Sequence, residues 1–145
     1  MVPTLAGRIQ TRVILLALIG GLVTLAITPM VLDDGSLPSR YRTTFIVLAA
    51  VAVLGVAWEF VYHLLMQLRW EKDWPTLFGL LTLVPEGLLV WWLARGGHLA
   101  GLTGPVDNAA FWIHFVVVWL TVWLVAQGPM RVPFIHWRFR GGSLL

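Results

Sequence analysis

Four ionisable side chains lie inside the long apolar stretches of this chain: Glu59, His63, Glu86 and His114. Such a group inside a bilayer is energetically costly, so it usually serves a function or a specific helix contact. Carboxylates and imidazoles can pass protons near neutral pH, and they can also bind Zn, Fe or Mn. These residues therefore leave three roles open: a structural polar cluster between helices, a proton or ion pathway, and a metal site.

The spacing of these residues predicts that three of them meet. At the helical rise, Glu59, Glu86 and His114 each lie roughly 15 to 20 Å from the inner end of their predicted helix, near the middle of a bilayer. We therefore expect the three to converge inside a bundle of helices. His63 lies one turn below Glu59, at a spacing that also allows a local pair between these two side chains.

Metal and haem chemistry fit the spacing poorly. Glu59 and His63 are four residues apart, whereas di-iron bundles use a Glu-x-x-His repeat. Haem held by two histidines needs both at one depth, but His63 and His114 differ by about 10 Å along the membrane normal. The chain has no cysteine and no recognised catalytic motif. We expect no metal, no cofactor and no catalytic residue, and the prediction leans towards a protein that is not an enzyme.

The elements that must position these side chains are transmembrane helices. Hydrophobic residues make up 59% of the chain and charged residues only 12%, against roughly 25% charged in soluble proteins. Apolar length predicts helices at about 13–32, 43–68, 75–94 and 109–127. The predicted fold is an all-α transmembrane four-helix bundle, a single membrane domain of residues 1–145 with a basic aromatic tail at 128–145.

Local sequence adds two details to this bundle. Pro85 removes a backbone donor immediately before Glu86, and Gly87 follows, so a break is expected in helix three at this point. In helix two, Gly55 and Glu59 lie on one stripe with His63. A face that combines small and ionisable residues should point into the bundle, because close backbone contact and hydrogen bonds drive helix association in lipid.

The distribution of basic residues predicts the orientation. Seven lie on the side of the termini: Arg8, Arg12, Arg69, Lys72, Arg131, Arg138 and Arg140. Three lie on the other side: Arg40, Arg42 and Arg95. Because short loops rich in Lys and Arg stay in the cytoplasm, both termini are expected to be cytoplasmic.

The tail interleaves basic and aromatic residues directly after the last helix. Arg131, Arg138, Arg140 and Trp137 are expected to contact lipid headgroups of the anionic inner leaflet, since cations attract anionic lipid and tryptophan anchors at headgroup level. A similar composition can bind RNA or a partner protein. With the bilayer adjacent, lipid is favoured and no nucleic-acid partner is expected.

Two segments carry a resemblance to known proteins. Residues 69–75, Arg-Trp-Glu-Lys-Asp-Trp-Pro, and residues 128–132, Gly-Pro-Met-Arg-Val, resemble a group of uncharacterised four-span integral membrane proteins of actinobacteria. The resemblance covers most of the chain. It implies a multi-pass protein of a bacterial plasma membrane and carries no activity with it.

Three hypotheses for the function follow from the sequence. The first is a non-enzymatic accessory or scaffold subunit of a membrane complex, with a membrane protein partner or a second copy of the chain. The second is a small proton-coupled transporter or ion pathway that uses Glu59, Glu86 and His114. The third is an intramembrane metal-binding protein or enzyme, for which the chain offers no nucleophile.

Overall fold

The computed structural model describes residues 4–31, 35–69, 76–102, 104–134, 137 and 139, and this part of the chain contains four long helices. They are α1 (Leu5–Val31), α2 (Leu37–Leu68), α3 (Thr76–Arg95) and α4 (Asn108–Gln127). All four are long and apolar enough to span a membrane. The protein is an all-α bundle and a multi-pass membrane protein.

Helix α1 begins at Leu5, well before the predicted start at residue 13. The side chain of Thr4 caps it by accepting a hydrogen bond from the Gly7 amide at 3.1 Å. The sequence prediction placed Arg8 and Arg12 in the flank, because apolar length alone cannot extend a span through charged residues. Both arginines are instead part of the helix, as its fourth and eighth residues.

Helix α2 also begins earlier than predicted, at Leu37 instead of residue 43. Pro38 lies in its first turn, where the missing backbone donor costs nothing because the first amides of a helix have no intrahelical acceptor. The first turns of α2 are polar and charged, so hydropathy alone placed the start too late.

Helix α3 is interrupted at Thr82, between Thr76–Leu81 and Leu83–Arg95. The predicted break at Pro85-Glu86-Gly87 is therefore displaced by about one turn towards the N-terminus. The reason is the proline ring, which clashes with the carbonyl four residues before it and so distorts the preceding turn. The Thr82 hydroxyl donates to the Gly79 carbonyl at 2.8 Å within this turn.

Helix α4 follows the prediction closely, beginning at Asn108 and ending at Gln127. Asp107 is the N-cap, and its carboxylate accepts a hydrogen bond from the Ala110 amide at 2.9 Å. Gly128 ends the helix, and a short 3-10 turn follows at Pro129–Arg131.

The core runs between the helices, with α2 packed against both α1 and α3, and α4 packed against α1 and α3. Its central buried side chains are Leu16, Val47, Val51, Phe111, Phe115 and Val118. Large apolar side chains on the outside stay exposed, among them Leu22, Val53, Leu64 and Leu124. We call the end of the bundle where α1 begins and α4 ends the proximal end, and the opposite end the distal end.

Candidate functional site

A buried network of charged side chains, Arg8, Arg12, Glu59 and Glu86, joins three helices near the proximal end. Arg8 Nε donates to Glu59 Oε2 at 2.6 Å, and Arg12 Nε donates to Glu59 Oε1 at 2.8 Å. Arg12 also forms a bidentate pair with Glu86, from Nη1 to Oε2 at 2.5 Å and from Nη2 to Oε1 at 2.9 Å. We call these four residues the charged network.

The network is buried as well as paired. The side chains of Glu59 and Glu86 are 7% and 2% exposed, and that of Arg12 is 12% exposed. Two permanent positive charges face two carboxylates, so the group is electrically balanced. A balanced, hydrogen-bonded set is the arrangement in which buried charge is tolerated, because each ion replaces the water lost by its partner.

Two neighbours hold Arg12 in this position. Its guanidinium lies 5.4 Å from the centre of the Trp119 ring, in a cation-π contact with α4. The Arg12 side chain also lies against Gly55 of α2, where an added Cβ would come within 3.0 Å of Arg12 Cδ and 3.2 Å of Cζ. The absence of a side chain at Gly55 is therefore what makes room for the arginine. The network consequently connects α1 with α2 and α3 and touches α4.

His63 does not belong to this network. Its ring nitrogen Nδ1 is buried and has no hydrogen-bond partner among the described residues, while the oxygens of Glu59 are occupied by Arg8 and Arg12. The described contacts therefore do not include the local pair between Glu59 and His63 that their spacing allows. Arginine competes better for a carboxylate because its charged N–H groups form stronger hydrogen bonds than a neutral imidazole does.

His114 lies in a second polar group in the distal half of the bundle. Its Nε2 is 2.9 Å from the Thr24 hydroxyl. The Thr28 hydroxyl donates to the Thr24 carbonyl at 2.6 Å and lies 2.9 Å from the Thr44 hydroxyl. All four side chains are buried, and we call them the threonine–histidine cluster. The structure thus brings Glu59 and Glu86 together through Arg12, but it places His114 apart from them.

An apolar layer separates the two polar groups. Leu16, Val51, Phe115 and Val118 lie between them and, with their neighbours, enclose a void of about 10 Å³. That volume is at the lower limit for a single water molecule. The described residues therefore offer no continuous polar path from the charged network to the threonine–histidine cluster.

A larger cavity of about 480 Å³ opens beside the charged network at the proximal end, and we call it the proximal cavity. It lies between the first half of α1, the start of α3 and the end of α4. Arg8, Arg12, Glu59 and Tyr62 reach its wall from one side. The void is there because this half of α1 packs mainly on α2.

The described part of the tail folds back on the bundle. Trp137 Nε1 donates to the Thr11 hydroxyl of α1 at 2.7 Å, and the Trp137 side chain lines the proximal cavity. Arg131 is exposed and donates to the Gln127 side chain one turn before it. Arg138 and Arg140, for which headgroup contact is predicted, lie outside the described residues.

Sequence reasoning found the two buried carboxylates and missed the two arginines that bind them. A signal was available, since Arg8 and Arg12 are four residues apart and so share one face of a helix. Among the residues that the structure describes, no group of three or more His, Asp or Glu side chains could hold a metal ion. No family model, curated protein or solved structure matches the chain.

Proposed function

We propose that this chain is a non-enzymatic accessory or scaffold subunit of a membrane complex, in which the charged network fixes the arrangement of the helices. One observation carries the proposal: all four carboxylate oxygens of Glu59 and Glu86 accept a hydrogen bond from an arginine. Arginine stays charged at all physiological pH values, so it neither takes up nor releases a proton. The arginines around the carboxylates can therefore hold them in place, but they cannot pass a proton along.

The apolar layer supports the same proposal. A proton pathway across the bundle would need polar groups or water at every level, and the void in this layer is about 10 Å³. His114, the titratable side chain of the threonine–histidine cluster, bonds to Thr24. A role in fixing how α1 meets α4 accounts for that bond without any transported ion.

The proposal includes the membrane in which the protein lies and the orientation of its termini. The resemblance favours a bacterial plasma membrane, and the excess of basic residues on the side of the termini favours cytoplasmic ends. The exposed apolar side chains of the helices suit contact with lipid, with a membrane protein partner or with a second copy of the chain. Arg131, Arg138, Arg140 and Trp137 are proposed to meet anionic headgroups of the inner leaflet.

A second candidate function is a small proton-coupled transporter or ion pathway. The observation that favours it is the proximal cavity, which reaches Glu59 and Arg12 from the proximal end. If the protein is a transporter, the structure would correspond to the state of the transport cycle that is open to the proximal side. The apolar layer would have to open at another stage of the cycle.

A flux measurement separates the two candidates. The purified protein is reconstituted in liposomes that contain a pH-sensitive dye, and a pH gradient is imposed across the membrane. Under the subunit proposal the wild-type protein and Glu59→Gln give the same proton flux as empty liposomes. Flux above that background in the wild-type protein, and its loss in Glu59→Gln, would establish the pathway.

The subunit proposal also needs a positive result. Purification from native membranes in a mild detergent, after chemical crosslinking, should yield a stoichiometric membrane protein partner or a defined oligomer. A crosslinked preparation that contains only the monomer would contradict this function.

A further inference from the structure

We propose that the proximal cavity binds one acidic amphiphile, a molecule with an acidic head group on an alkyl chain. The inference goes beyond the proposed function, because a subunit with balanced internal charges needs no such cavity. Two features of the cavity carry it: an excess of positive charge at its mouth and a largely aromatic and aliphatic wall further in.

The size of the cavity fits a small ligand. Its volume of about 480 Å³ lies within the range of roughly 300 to 1,000 Å³ that is usual for ligand sites. This space is sufficient for a single alkyl chain with a compact head group.

The positive charge in the cavity wall favours a ligand with a negative charge. Arg8, Arg12 and Arg131 line the cavity, and Glu59 is the carboxylate that faces them there. Arg8 and Arg12 are balanced by the two buried glutamates, but Arg131 forms no ion pair with any described residue and donates to the neutral Gln127. Among the described residues of the cavity wall, one positive charge therefore remains to attract an acidic head group.

The remaining wall suits an alkyl chain. Leu15, Trp119, Val122, Trp123 and Ala126 line the part of the cavity between α1 and α4.

The position of the cavity also favours an amphiphile over a soluble anion. It lies within the span of α1, α3 and α4 and opens at their proximal end. An acidic lipid of the adjoining leaflet has its head group at that level and its chain in the hydrocarbon region. The same chemistry is present in a free fatty acid and in an anionic phospholipid, so the test must distinguish these sources.

The experiment uses the full chain in nanodiscs of phosphatidylcholine and the fluorescent fatty acid cis-parinaric acid. Tryptophan transfers excitation energy to this probe, and Trp119, Trp123 and Trp137 line the cavity. Saturable energy transfer is expected in the wild-type protein. Ala126→Phe fills the cavity and Arg131→Gln removes the unpaired charge, and each should weaken probe binding at least tenfold.

The matched control is Ala57→Phe, the same substitution at an exposed position on the lipid-facing side of α2. It should bind the probe as the wild-type protein does. If Ala126→Phe does not fold, Val122→Trp fills the same space from the neighbouring turn of α4. If a folded cavity-filling variant and Ala57→Phe bind the probe with equal affinity, the probe merely partitions into lipid. This result would overturn the proposal.

Competition then identifies the source of the ligand. Displacement by phosphatidylglycerol would assign the site to an anionic lipid, and displacement by oleic acid alone would assign it to a free fatty acid. Displacement by inorganic phosphate alone would contradict the amphiphile, since the head group charge would then suffice. None of these outcomes depends on proton flux or on partner capture, so the proposed function is tested separately.

Discussion

Arg12 is the residue that links the two buried carboxylates, because its single guanidinium binds Glu59 and Glu86 at once. The carboxylates could be identified from the sequence, since each interrupts an apolar run. Their partners could not be identified by apolar length, because that criterion treats every arginine near a helix end as a flank. A long arginine side chain can turn outwards to the headgroups or inwards to a carboxylate. Its direction depends on which face of the helix carries it, and therefore on the register between α1 and α2.

Gly55 offers a residue-level test of this account. Gly55→Ala would push a methyl group against Arg12, so the arginine would have to shift and its bonds to Glu59 and Glu86 would be distorted. We expect a loss of about 1 to 3 kcal/mol in the free energy of unfolding, as for overpacking in a core. The measurement is an unfolding titration in detergent, followed by tryptophan fluorescence.

Gly21→Ala is the matched control for that substitution. Gly21 lies in α1, and an added Cβ there meets nothing within 4 Å. This variant should be as stable as the wild-type protein or slightly more stable, because alanine favours a helix over glycine. Equal stability of the two variants would show that Arg12 does not depend on the space at Gly55.

At the scale of the elements, apolar length predicted the four spans, and local signals determined their ends. Thr4 and Pro38 mark the true starts of α1 and α2. Both starts lie in polar or charged sequence that lowers the local hydropathy. The break in α3 was expected beside Glu86, and the steric effect of Pro85 moves it to Thr82. The bonds of Thr24 and Thr28 to His114 and Thr44 depend on how the helices pack, which apolar length does not predict.

The early start of α1 also changes the argument for orientation. Arg8 and Arg12 bind buried glutamates. They therefore contribute less to the orientation than basic residues in a free flank would. Without them the basic residues divide five against three, which still favours cytoplasmic termini.

Labelling of introduced cysteines tests this orientation directly, because the chain has none of its own. Ser36→Cys precedes α2 and Ser143→Cys lies in the tail. In intact cells an impermeant maleimide should label the first position only, and the second should react only after the membrane is opened. Labelling of both positions from the same side would contradict the four-span topology, and labelling of Ser143→Cys alone in intact cells would reverse the orientation.

At the scale of the whole molecule, the bundle is layered along its axis. The charged network and the proximal cavity occupy one half, an apolar layer follows, and the threonine–histidine cluster occupies the other half. The sequence predicted that polar groups would meet inside the bundle, but it predicted one cluster where the structure has two. Counting residues along each predicted helix put Glu86 and His114 at similar depths, whereas the structure places them on opposite sides of the apolar layer.

A double-mutant cycle of Arg12→Gln and Glu86→Gln shows whether the charged network holds α1, α2 and α3 together. Arg12→Gln should cost about 3 to 5 kcal/mol in the free energy of unfolding in detergent, because it leaves buried carboxylates unpaired. The double variant should lose less than the two single losses combined, with a coupling of about 1 to 3 kcal/mol. Arg12→Gln combined with His114→Gln is the control and should be additive within about 0.5 kcal/mol. Additive losses for Arg12 and Glu86 would mean that the two side chains do not act on each other, and the account of the charged network would be wrong.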